Sequence, residues 1–173
     1  MSVKTIYFIA LFFVAVALGP ALAHLLELPN KINLARDEYL TVQQIYRGWA
    51  LLGIVVAGAL ISTLVLAVEV RRERKPFVFA IIAFLCIVGT QVVFWTYTYP
   101  ANQATNNWTM LPENWSELRQ QWEYSHATSA GLNLLALIAL ILSVLAKQGN
   151  EISSELRGIT NMKTEMARKA VLR

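Results

Sequence analysis

Apolar residues run along this chain in long unbroken stretches, and the charged residues fall at the ends of those stretches. Read between its charges, the first runs from Thr5 to about Leu26, and the second from Gly48 to Val68. The third starts at Phe77 and stays apolar to about Tyr97. The fourth begins amphipathically near Trp115 or Leu118, turns strongly apolar at Ala130 and ends near Ala146. An unpaired charge in hydrocarbon costs at least ~2.5–3.5 kcal/mol, so the charges mark the borders. About 20 apolar residues at a rise of 1.5 Å cross a bilayer core. The pattern therefore predicts helices over about 5–27, 46–70, 77–98 and 118–147. Pro100 should end the third, because proline offers no amide donor and disfavours helix in the residue before it. Barrel strands would show alternating segments of ~10 residues, and none of these runs alternates. The expected fold class is all-α: an integral membrane four-helix bundle over residues 1–147, with outer connections at about 29–46 and 98–117 and a basic cytoplasmic tail over 148–173. That tail is expected to form only a short helix at the membrane surface.

Composition narrows the class further. Of 173 residues, 56% are hydrophobic and 15% charged, and the mean hydropathy of +0.47 excludes an ordinary water-soluble domain. One cysteine, Cys86, lies inside an apolar run, so no disulfide can form within the chain. Lys4, the Arg71–Lys75 cluster and the tail put eleven of the Lys and Arg residues on one side, against Lys31, Arg36, Arg47 and Arg119 on the other. The side with the excess should be cytoplasmic, which places both termini inside and fits a plasma (inner) membrane. The net charge of +4 is then topology. No aromatic interleaving or nucleic-acid motif accompanies the basic residues, so a nucleic-acid partner is not expected. Residues 1–23, with Ala21-Leu22-Ala23, imitate a secretory signal, but the apolar stretch exceeds the ~7–15 residues of a signal core and is expected to remain as a helix.

Most polar residues within the spans have ordinary explanations. Gly48, Gly53 and Gly58 should let the second helix pack closely. Ser62, Thr63, Thr128 and Ser129 can bond back to their own helices, Gln91 calls for a bond to another helix, and Gly19-Pro20 should kink the first. The tryptophans and tyrosines at the outer ends form an aromatic belt, unless some of them line a ligand pocket.

The two histidines are different. His24 ends the first helix and His126 opens the fourth, so both reach the outer face although about a hundred residues separate them. Each has a carboxylate three residues away, Glu27 and Glu123, on the same face of its helix. Adjacent antiparallel helices would bring two imidazoles and two carboxylates together, as bundle metal sites do with Glu-x-x-His turns. His24, Glu27, Glu123 and His126 are thus candidate ligands of one transition metal, and imidazole with carboxylate suits Fe, Cu or Zn alike. The alternative is four water-exposed interfacial residues, each Glu–His pair worth ~0–1 kcal/mol, with no cofactor. Asp37, Glu38, Tyr46, Arg47, Asn102 and Gln103 are further candidates from the outer connections and helix starts.

The succession Tyr99-Pro100-Ala101-Asn102-Gln103, Trp115, Leu118-Arg119, Trp122-Glu123 and His126, with Gly19-Pro20 and His24 near the end of the first helix, resembles the small four-helix membrane proteins related to anthrone oxygenases. The resemblance covers much of the chain in layout. It implies functional roles for Pro100, Asn102, Arg119, Trp122 and His126, and an oxidation of an activated aromatic CH₂ by O₂ without an organic cofactor. The long basic tail departs from that pattern.

Three classes of function follow. The first is a membrane-embedded oxidoreductase acting on a small apolar or aromatic substrate, with His24, His126, Arg119 and Asn102 as its catalytic residues. Histidine suits a base there because its ordinary pKa of ~6.5 leaves much of it neutral at pH 7. The second is a non-catalytic metal- or haem-binding protein. The third is an accessory subunit that docks a membrane-protein partner or a further copy of itself. No phosphate loop, nucleotide fingerprint, nucleophile elbow or zincin motif is present, which leaves ATP-driven transport and standard hydrolysis without support.

Overall fold

A computed structural model describes residues 2–171. Six α-helices follow in order: α1 (Val3–Lys31), α2 (Arg36–Gln43), α3 (Leu52–Glu69), α4 (Arg74–Val93), α5 (Tyr99–Ala104) and α6 (Trp115–Val171). Four helical segments, Val3–Lys31, Trp49–Glu69, Arg74–Ala104 and Trp115–Lys169, are long and apolar enough to cross a membrane, as the pattern of runs predicted. No strand occurs among the described residues. α1 packs on α3 and α6, and α4 packs on α3 and α6, so the four long helices form a ring of antiparallel neighbours. Ser2 starts α1 by accepting the Thr5 amide at 3.2 Å, and Glu38 starts α2 by accepting the Ala35 amide at 3.2 Å. Pro20 and Pro29 both lie within the continuous α1.

α1 runs on to Lys31, past the expected end near 27, and α3 starts at Leu52 rather than near 46, but two departures are larger. The third span does not stop at Pro100. It widens into a π-turn over Phe94–Thr98, where the Tyr99 amide reaches back to the Phe94 carbonyl, and Pro100 falls in the first turn of α5. The wider turn just ahead of it relaxes the backbone bonding that proline's missing donor would otherwise interrupt. The tail is not a short surface helix either. α6 runs on as one helix of 57 residues, since nothing between Trp115 and Val171 breaks it and pairs such as Lys147–Glu151 (3.6 Å) and Glu165–Lys169 (3.0 Å) support it at i,i+4 spacing.

The start of α1, the stretch of α6 around Lys147 and the α3–α4 turn share one end of the bundle, here the tail end. The two long connections share the other, the cap end. The lower core, towards the tail end, is built from small residues. Ala10, Ala59, Ala80, Ala83, Ala136 and Ala139 are all buried in it. A Cβ on Gly58 would come within 2.5 Å of the Phe13 ring, so this glycine is a point of close approach, whereas Gly53 has open space. Ser62 and Thr63 bond back to the carbonyls of Gly58 and Ala59, both at 2.6 Å, as expected. At the tail end Ser143 donates to the Pro76 carbonyl (2.8 Å) and so accepts from the Tyr7 hydroxyl (2.8 Å), tying α1, α4 and α6 together. Lys147 and Asn150 both bind Glu73 in the α3–α4 turn.

Candidate functional site

The cap end is organised around the two histidines. Their ring centroids are 4.1 Å apart with planes inclined at 31°, well inside one helix diameter of about 10–12 Å. His24 and His126 therefore share one site. Trp122, one turn before His126 on α6, lies 4.2 Å from the His126 ring and meets His24 edge-on at 5.0 Å. Tyr46 (4.5 Å) and Trp49 (5.4 Å), from the segment entering α3, close the other sides of His24. Gly48 makes that entry possible, because its φ of +90° is strained for any residue with a side chain.

The carboxylates take other partners. Glu123 is fully buried and binds the Lys31 ammonium at 3.0 Å and the Tyr39 hydroxyl at 2.9 Å. Glu27 lies 3.7 Å from the same ammonium and accepts from the Tyr46 hydroxyl. Lys31 also donates to Tyr46 at 2.7 Å and sits over the Tyr46 (4.4 Å) and Trp122 (4.9 Å) rings. A buried ammonium next to two carboxylates outcompetes a neutral imidazole for them, so the expected Glu–His pairing within each helix turn gives way to ion pairs through Lys31. Neither imidazole makes a side-chain hydrogen bond among the described residues, and His24 Nδ1 is fully enclosed without a partner.

Asn102 and Arg119, expected to act on a substrate, are placed differently from each other. Asn102 Oδ1 accepts both indole N–H groups, Trp122 at 2.8 Å and Trp108 at 3.2 Å, and so sets two rings of the site. Arg119 donates to the Leu34 carbonyl at 2.8 Å and lies over the Trp115 ring at 4.6 Å. It joins the first connection to α6 and is not on the cavity wall. Trp108 is held in place by three successive left-handed residues, Asn106, Asn107 and Trp108, with φ of 47°, 54° and 60°. Bonds from the Asn107 amide to the Asn102 carbonyl (2.7 Å) and from Gln44 to the Trp108 carbonyl (2.7 Å) offset that strain. Among the remaining candidates, Arg47 bonds Gln44 (3.0 Å) and Gln103 bonds Tyr99 (3.0 Å), while Asp37 and Glu38 are exposed on α2.

Between the helices and the two connections lies a half-open cavity of about 830 Å³, within the ~300–1,000 Å³ of ligand pockets. His24, His126, Tyr46, Trp49 and Trp122 form its upper wall, and Thr90, Gln91 and Asn133 lie deeper. Gln91 donates only to its neighbour Thr90 at 3.2 Å, so it does not make the expected bond to another helix. The aromatic belt divides accordingly. Trp95, Tyr97 and Tyr124 are exposed, while Trp108 and Trp122 are buried.

Sequence reasoning missed Lys31, counted there only as a loop charge, and Tyr39, which is fully buried. Tyr39 donates to Glu123, so its oxygen is free to accept from the Gln43 amide. Burial, with Glu123 beside Tyr39 and Glu27 beside Tyr46, pushes both phenols above their ordinary pKa, and they stay protonated. The Lys31 signal was legible as the i,i+4 spacing to Glu27. The Tyr39 signal was not. No three His, Cys, Asp or Glu side chains gather to hold a metal among the described residues. As they stand, the two imidazoles offer nitrogen donors while both carboxylates face Lys31. No family model matches this chain, nor does any curated protein or solved structure.

Proposed function

We propose that this chain is a membrane-embedded oxidoreductase that admits a small, largely apolar aromatic molecule into the cap-end cavity, with the cap end on the outer side and both termini in the cytoplasm. One observation carries the reading: two contacting imidazoles, without carboxylate partners, stand on the wall of a cavity of about 830 Å³. Aromatic walls suit a flat ring, and an imidazole free of stronger partners can accept a proton from an acidified CH₂. The likeness to anthrone oxygenases supplies the rest of the reaction. The CH₂ loses two hydrogens to one O₂, whose atoms end in a carbonyl and in water. Trp122 and Asn102 shape the wall, and Lys31 keeps the carboxylates away from the base.

The competing reading is a protein that binds metal or haem without turnover. A single Fe, Cu or Zn ion held by both imidazoles would need Glu27 or Glu123 to leave Lys31. A haem between the rings would need them to separate, since metal–nitrogen bonds of about 2 Å on opposite faces cannot fit between stacked rings at 4.1 Å. The test is oxygen consumption by purified protein with anthrone-type substrates, alongside elemental analysis and an optical spectrum. We expect turnover that falls by about 10²-fold or more in His24→Ala or His126→Ala, the usual scale for a lost general base. Turnover indifferent to both substitutions, or a stoichiometric metal or Soret band without turnover, overturns the oxidoreductase reading.

A further inference from the structure

α6 carries two seams. One faces the bundle through His126, Ala130, Asn133, Leu137, Leu140, Val144 and Lys147, and ends where Lys147 and Asn150 bind Glu73. Beyond that point the same face turns polar, with Ser154, Asn161 and Arg168. The second seam faces away from the bundle through Leu135, Ile138, Leu142 and Leu145, each 40–56% exposed. Lipid accounts for those four. The seam then continues in unbroken register through Gly149, Ile152, Leu156, Ile159, Lys163 and Met166, and its four apolar members there are 47–62% exposed. The steps along it alternate three and four residues throughout, the 3.5-residue repeat of a coiled coil.

Met166 lies about 28 Å past Lys147 along the helix axis, too far for the bilayer that covers Leu135–Leu145 to reach it. What covers the tail half of the seam must therefore run along α6 in water, and the unbroken register carries the same contact up into the hydrocarbon. We infer that a second copy of this chain does so, its α6 pairing with this one about a two-fold axis along the helices. Only a helix that leaves the membrane with the same apolar stripe matches both halves, and the chain itself supplies one. Gly149, at the membrane border, lets the two backbones approach. The flanking positions bring no like charges together in a parallel pair: Glu155 faces Thr160 and Met162 faces Ala167 of the other copy. Lys163 is the one charged seam residue, the kind of position that sets register and strand number at a cost in stability. This inference is independent of the reading of the cavity.

The test uses the full chain in native membranes, with Cys86→Ala as background and single cysteines introduced along α6. Under mild oxidation, Ile152→Cys and Ile159→Cys should give disulfide-linked dimer at least about fivefold above Ser154→Cys and Asn161→Cys, because only seam positions bring Cα atoms within bonding range. In detergent, Lys163→Leu should shift the monomer–dimer equilibrium towards dimer by about tenfold or more, and Ile159→Glu should shift it towards monomer. Equal cross-linking at all four positions, none at any, or a product heavier than two chains overturns the inference. So does a Lys163→Leu chain that remains monomeric.

Discussion

The two halves of the bundle use the same four helices to opposite ends. Towards the tail end, alanines and Gly58 let the helices close on each other, and polar groups such as Tyr7, Ser143 and Glu73 all have partners. Towards the cap end the helices stand apart around a cavity of about 830 Å³. That half buries Lys31, Glu123 and His24 and leaves His24 Nδ1, Gln43 Oε1, Arg119 Nε and Glu123 Oε2 without partners. A half that only had to be stable would favour alanines over such groups, because burying an ionisable side chain costs more than packing an apolar one. The tail half holds the fold together, and the cap half departs from good packing where chemistry is proposed.

The largest effect expected from breaking this division is at Lys31. Lys31→Met leaves Glu123 as a buried charge without its cation, a loss of about 3–5 kcal/mol, measured by unfolding in detergent. The double variant Lys31→Met/Glu123→Gln should recover a substantial part of it, since the orphaned charge is removed. Equal losses in the single and double variants would mean that Lys31 acts through packing rather than charge.

Next in size is Gly58→Val, which drives methyl groups into the Phe13 ring and should cost about 1–3 kcal/mol. Gly53→Ala, facing open space in the cap half, should change stability by less than about 0.5 kcal/mol. A comparable loss at both glycines would erase the difference in packing between the halves. Asn102→Ala removes the acceptor of two indoles and should cost about 1–2 kcal/mol, with a shift in tryptophan fluorescence as Trp108 and Trp122 lose their shared anchor. An unchanged spectrum would separate Asn102 from the shape of the site.

The smallest effect is a pH dependence at the tail end. Hydrogen bonds from Asn150 and then Lys147 hold the Glu73 carboxyl below its ordinary value. A depressed folded-state pKa adds stability above the unfolded-state value, and that stability is lost as pH falls through the folded one. The α3–α4 turn should therefore loosen from α6 only below the ordinary carboxylate range, seen as faster amide exchange at residues 70–75. Glu73→Gln should abolish that dependence and leave the cap end unchanged.

Much of this architecture is settled by properties each residue carries alone. The energy of putting a charge in hydrocarbon does not depend on its partner's identity, so Lys4, Arg47, Glu69 and Lys75 stand within two residues of the ends of membrane-length helices. Antiparallel connectivity then forced His24 and His126 to one end, and only their contact at 4.1 Å remained to be found. Partner choice is another matter, because it is a competition among all groups within reach. Glu27 and Glu123 each stand one turn from a histidine, yet Lys31 captures both, and Tyr39 reaches Glu123 across 84 residues of sequence. Asn102 becomes an anchor for two indoles only because a left-handed turn delivers Trp108 to it. Pro100 passes within a helix because a π-turn directly before it loosens the backbone bonding its ring would break. Local spacing decides which side chains share a face, whereas the tertiary structure decides which of several nearby charges and donors wins, since that energy depends on distances and burial that no stretch of sequence contains.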